Sequence, residues 1–342
     1  MSILANCPCS ICLPILIVLV SNQALASPDT DLQLKMLEDI LSNSYSQNIS
    51  NSSVDDEFMG QHLETELGLI LASFESQLLA ANQAQEFFTK ASKFGLPSFD
   101  NLKFRKNYIL SYDNRLKHPT WVLESFTGKL RKNNAKEKYR YIFQPDLTLH
   151  EYFRTNYDEY RHTGYDRGHL AATCNSMASQ ELTDEVFVLS NIAPQLATLN
   201  AGACPWTRSE SYVHYLAQKS RNLYIVSGTM YLPTSGTFSG RSDKSELMIH
   251  RLISERRIAV PTHYYKVLLT ENYHGQFTME AFVFPNSQDI NKTARLEQFK
   301  IDISKQLPEM EKAIGLKFFD RIDRKRVIKP HKMQYRFGHR RA

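Results

Sequence analysis

A series of short apolar runs constrains this chain more than any other feature. Asn107–Asp113 and Thr120–Glu124 read as two strands joined by a polar turn at 114–118. Glu185–Ser190, Asn222–Gly228, Tyr264–Leu269 and Phe277–Phe284 read as further strands. Helices are expected at 200–220, 292–303 and 305–314. This mixture predicts an α+β domain, a mainly antiparallel sheet with packed helices. Earlier in the chain, Leu63, Leu67, Ile70, Leu71, Phe74, Leu78 and Leu79 recur at helical spacing, and Gly95 and Pro97 end that pattern. Such a stripe is a packing face.

Composition narrows the class. Of 342 residues, 42% are apolar, too many for a disordered chain. Thirteen Gly exclude a collagen-like repeat, and five Cys are too few for a disulfide scaffold. The net charge of +5 hides an asymmetry. Residues 27–100 carry 12 acidic and 3 basic groups; residues 101–342 carry 24 acidic and 38 basic groups. A basic body points to an anionic partner, although charge alone also fits a plain solvated surface.

The N-terminus reads as a targeting segment. Ile11–Val20 is apolar apart from Pro14 and is followed by Ala24-Leu25-Ala26, a small-residue cleavage pattern. No Lys or Arg precedes Lys35. Residues 1–26 are therefore expected to be a signal peptide or a membrane anchor. Sequons at Asn48, Asn51 and Asn291 agree with a secretory route. The expected layout is 1–26 targeting segment, 27–93 acidic linker and helical segment, 94–320 main folded domain, and 321–342 basic tail.

The chemistry concentrates in Tyr165-Asp166-Arg167-Gly168-His169-Leu170, Ser190-Asn191-Ile192-Ala193-Pro194-Gln195, Leu199-Asn200, Trp206 and Glu210. These residue types suit phosphodiester cleavage. A histidine accepts a proton from water near neutral pH. Arginine compensates a phosphorane in bidentate form. Asparagine offers a neutral oxygen to a hard cation that keeps most of its waters. A zinc hydrolase or deaminase finds no support. The chain has no His-Glu-x-x-His pattern, and neither Cys174 nor Cys204 belongs to a Cys-x-x-Cys pair.

The set resembles the DNA/RNA non-specific endonuclease family, the ββα-metal or His-Me finger nucleases, and within it the endonuclease G branch. The likeness runs from about Phe94 to Phe319. It includes Phe94-Gly95-Leu96-Pro97, Leu110-Ser111-Tyr112-Asp113, Trp121-Val122-Leu123-Glu124, Arg154-Thr155-Asn156, Asp166-Arg167-Gly168-His169-Leu170-Ala171-Ala172, Phe187 to Gln195, and Val260 to Val267. The resemblance implies a ββα-metal active-site motif and a Mg²⁺-dependent endonuclease, with Mn²⁺ as the substitute ion. Its substrates would be DNA and RNA, held through the phosphate backbone, and its products would carry 5′-phosphate and 3′-hydroxyl ends. No small-molecule cofactor is expected. His169 would be the general base, and Arg167 and Arg154 would lie near the scissile phosphate. Asn200 would hold the metal directly and Glu210 through water. Asp166 and Asn191 would support the site. Family members are often homodimers, and endonuclease G relatives are commonly mitochondrial, often in the intermembrane space. That is the alternative to secretion.

One departure stands out. The family usually has three residues between the ligand Asn and the next Trp, whereas here Ala201 to Pro205 separate Asn200 from Trp206. The insertion carries Cys204. Cys174 and Cys204 read either as a disulfide bracing the site or as two unpaired buried thiols. The competing functional reading is a non-catalytic nucleic-acid-binding protein on the same scaffold.

Overall fold

The computed structural model describes residues 85–127, 141–233 and 247–329. The targeting segment, the acidic linker, the apolar stripe of 63–79, residues 128–140 and 234–246, and the tail beyond 329 lie outside the described residues. The unit that carries the sheet begins at Gln83.

Eight strands form one sheet. In chain order they are β1 (Leu102–Phe104), β2 (Tyr108–Asp113), β3 (His118–Thr127), β6 (Asn222–Met230), β9 (His263–Glu271), β10 (Phe277–Pro285), β11 (Lys300–Ile301) and β12 (Val327–Ile328). The spatial order is β1-β2-β3-β6-β9-β10-β11 with antiparallel neighbours, and β12 pairs parallel with β10. Two short antiparallel pairs stand apart: β4 (Asp166–His169) with β5 (Ile192–Gln195), and β7 (Leu252–Ile253) with β8 (Ile258–Ala259).

Strand periodicity sorts the core into two layers. Leu110, Val122, Ile225, Tyr264, Leu268, Phe282 and Phe284 face one cluster together with Leu170, Ala193 and Trp206. Their neighbours Ile109, Trp121, Leu123, Val226, Tyr265, Val267 and Met279 face the other, against Phe94, Leu307, Met310, Phe318 and Phe319. Both faces are covered, so β6 and β9 are almost wholly buried and read as continuous apolar runs. Phe87, Phe88 and Ala91, from helical residues 85–91, pack on the second layer.

The helices are α1 (Gln180–Val186), α2 (Ala197–Asn200), α3 (Pro205–Lys219) and α4 (Gln306–Ile314). Helix α3 starts with Pro205 in its first turn, where a missing N–H costs nothing, and α4 stops at Gly315 in the left-handed region. The strand pair β4–β5 followed by α2 and α3 lies on the first layer of the sheet and carries the motif residues.

Two expectations need correction. Glu185–Ser190 is not a strand. It spans the end of α1, a turn at Phe187 and a 3-10 turn, Leu189–Asn191. Ser179 caps α1 by accepting from the Leu182 amide, and Val186 and Leu189 reach different clusters at helical spacing. Nor is 292–303 a helix. The Asn291 side chain turns the chain onto Thr293, and a 3-10 turn, Leu296–Phe299, leads into β11. There Lys300 pairs with Glu280 and the backbone pairs with Phe282.

Candidate active site

Antiparallel pairing sets His169 opposite Ile192 and Gly168 opposite Ala193. Gly168 is required by a close approach, since a Cβ there would lie 2.1 Å from Gln195 Oε1. Two residues apart on β4, Arg167 and His169 share a strand face. The His169 ring is half-buried, with its edge to Phe187 at 4.6 Å and Phe143 at 5.4 Å. Its carbonyl accepts from the Trp206 indole N–H at 3.2 Å. Its Nε2 has no partner among the described residues. Burial lowers its pKa to about 4, so the ring is neutral at physiological pH.

Arg167 donates to the Tyr157 carbonyl at 2.8 Å and lies over the Tyr157 ring at 3.8 Å. Arg154 donates to the Leu149 carbonyl at 2.8 Å. Each keeps an Nε–H without a partner, and neither pairs with a carboxylate among the described residues. Two guanidiniums held by carbonyls remain open to an anion. Arg154 stands on the segment 141–157, which reaches His169 through Phe143.

Asn200, the last residue of α2, donates from Nδ2 to Asp166 Oδ2 at 3.4 Å, and its carbonyl accepts from Thr207. With Nδ2 tied to Asp166, the amide oxygen is the group left to face a cation. Glu210 follows Trp206 by one helical turn on α3, and its carboxyl pKa is raised by burial against the pull of Lys266 and the Trp206 N–H. Asn191 is wholly buried. It accepts from the Ala171 amide and donates to the Ala171 and Val186 carbonyls, tying the end of β4 to α1. The inserted residues thus leave Trp206 and Glu210 joined to the motif through the indole.

No group of three or more His, Cys, Asp or Glu side chains that could hold a metal occurs among the described residues. One neutral amide oxygen with a carboxylate nearby fits instead a hard cation that retains most of its waters. The disulfide is absent, and both thiols are free. Cys204 is buried with Sγ toward the Ala197 carbonyl, while Cys174 is exposed beside Asn175 Oδ1, so the two sulfurs occupy different surroundings.

The sequence did not single out the charges beneath this group. Lys266 is 1% exposed, with Nζ 2.9 Å from Ser227 Oγ and 3.9 Å from the Trp206 ring centroid. Glu124, equally buried, accepts from Asn175 at 3.0 Å, and burial pushes its carboxyl up to about 7 against Asn175 and Lys266. Both share strand parity with residues that face the motif layer. A charge inside an apolar strand run was the available signal.

A sequence profile of the DNA/RNA non-specific endonuclease family matches residues 89–325. The chain is 34% identical over 231 residues to mitochondrial endonuclease G of Homo sapiens, covering 68% of this chain and 73% of that protein. It is 31% identical to mitochondrial endonuclease G of Caenorhabditis elegans, covering 75% and 79%, and 34% identical to a nuclease of Syncephalastrum racemosum, covering 68% and 72%. A solved structure described as the EndoG/EndoGI complex superimposes with a TM-score of 0.64 at 34% identity, covering 71% of this chain and 95% of that one.

Proposed function

Since the chain belongs to the DNA/RNA non-specific endonuclease family, we propose that this nuclease hydrolyses phosphodiesters of both DNA and RNA with Mg²⁺, or Mn²⁺ in its place. The observation that carries the reading is the neutral His169 imidazole beside Arg167 on one strand face. The neutral His169 imidazole takes the proton of the attacking water. Arg167 and Arg154, pre-oriented by carbonyls, offset the charge of the phosphorane. Asn200 Oδ1 would hold the cation directly, with its amide fixed by Asp166, and Glu210 would hold it through water. A hard cation there supplies a Lewis acid for the departing 3′ oxygen, which leaves 5′-phosphate and 3′-hydroxyl ends. Asn191 keeps β4 in place.

His169→Ala is expected to abolish plasmid nicking, by at least about a hundredfold, while nucleic-acid binding persists. Retained cleavage would overturn the assignment. Chelation should stop nicking by the unaltered protein, and Mg²⁺ or Mn²⁺ should restore it. Binding without nicking in any metal would identify a non-catalytic binder.

We further propose a homodimer, which sedimentation tests. For localisation, the relatives named mitochondrial support an organellar destination. The uncharged apolar N-terminus and the sequons support the secretory one. N-terminal sequencing of the mature protein with a glycosidase shift separates them.

A further inference from the structure

We propose that Tyr141 and Tyr157 are the two ends of an aromatic row that stacks unpaired bases beside the His169 centre. The nuclease would then favour single-stranded or locally unpaired DNA and RNA. The inference rests on the nuclease reading above.

The row is continuous. Tyr141 stacks on Phe187 at 5.3 Å and 29°. Phe187 meets Phe143 at 4.9 Å, and Phe143 meets Tyr157 at 6.2 Å. The two inner rings, Phe187 and Phe143, are the ones that touch the His169 imidazole. The outer rings are left in solvent, Tyr141 51% and Tyr157 43% exposed. Packing does not account for that, because a ring held at a site and left half in water forgoes much of its burial energy.

Charge selects the occupant. Tyr157 carries Arg167 at 3.8 Å and Arg161 at 5.6 Å from its ring centroid. Arg161 pairs with Asp158, and Arg256 with Glu159, so the rim is balanced there, whereas Arg167 meets no carboxylate among the described residues. An aromatic face next to an open guanidinium suits a base attached to a phosphate. Every base has a π-face, so stacking adds affinity without reading sequence, in keeping with a non-specific nuclease. Bases inside a duplex are covered by their neighbours and gain nothing from these rings. Both ends flank the imidazole, so bases seated on them would bracket the phosphate to be cut.

The test separates bases from phosphates. His169→Ala protein, with chelator present, is titrated with a thymidine oligomer and with an abasic oligomer of equal length, both followed by fluorescence anisotropy. Each stacked base should favour the thymidine oligomer by roughly five- to a hundredfold. Adding Tyr141→Leu should lower that preference while leaving abasic binding within about twofold; Tyr157→Leu, whose ring also carries Arg167, should lower thymidine binding by a larger factor than abasic binding, and the Phe replacements should keep the preference. Circular dichroism checks the fold of each variant. Equal binding of the two oligomers, or equal loss on both, would overturn the proposal. In the His169-containing protein, the same Leu pair should lower cleavage of single strands more than of duplex. If no protein nicks DNA in any metal but the base preference holds, the nuclease reading fails and the stacking site stands.

Discussion

At the scale of single residues, the candidate site rests on side chains buried beneath it. Lys266 is the clearest case. Its ammonium lies under Trp206, and the indole N–H holds the His169 carbonyl. The same ammonium lowers the carboxyl pKa of both Glu210 and Glu124. Lys266→Met keeps the volume and removes the charge. Both carboxyl pKa values then rise, so the ionised forms persist only at higher pH. With His169 at about 4, the imidazole does not set the acid limit of the unaltered enzyme near 6.5. The expected result is a cleavage profile whose acid limb moves to higher pH, with about tenfold loss at pH 7. Uncompensated buried carboxylates should also cost roughly 3–5 kcal/mol of stability. An unmoved limb would show that Lys266 serves packing alone. Gly168 is a second such residue. Gln195 is wholly buried and lies against it, so Gly168→Ala has to push a side chain that has no exit. About 1–3 kcal/mol of destabilisation is expected in denaturant unfolding, together with lost activity as β4 shifts.

At the scale of elements, Asn191 shows how one side chain sets the geometry of several. It joins β4, the 3-10 turn and α1 through the Ala171 and Val186 backbone. Asn191→Ala leaves one amide and two carbonyls buried without partners. A loss of roughly 3 kcal/mol or more is expected by chemical denaturation, with reduced cleavage. The same region marks what the sequence conceals. The long sheet strands were legible because β2, β3, β6, β9 and β10 repeat apolar residues over whole runs, and α3 and α4 fell where helical spacing placed them. Glu185–Ser190 was misread because Val186, Phe187, Val188 and Leu189 are as apolar as a strand. The helix depends on a cap at Ser179, outside that window. Residues 292–303 have helical composition, but Lys300 is claimed by Glu280 on a neighbouring strand. The candidate site residues were named from motifs alone. The charges below them were not, since nothing local tells a buried Lys266 from an exposed one.

At the scale of the whole molecule, charge distribution is the property left to decide binding. The 101–342 stretch holds 38 basic against 24 acidic groups, and Arg154 and Arg167 meet carbonyls and no carboxylate among the described residues. Affinity resting on such contacts falls steeply with salt, by about one power of concentration per phosphate neutralised. The 27–100 stretch carries 12 acidic and 3 basic groups, and competition of these acidic groups with nucleic acid for the basic body is testable by deletion. A deletion that tests this must stop before Gln83, because Phe87, Phe88 and Ala91 belong to the core of the sheet unit. Removing 27–82 should therefore raise affinity for a DNA oligomer several-fold at low salt, with circular dichroism checking that the sheet unit stays folded. The difference should vanish near 0.5 M salt, where the screening length is below about 5 Å. Equal affinity at low salt would make the acidic segment a solvated spacer with no part in substrate access. A gain that persists at high salt would point to steric cover instead of charge.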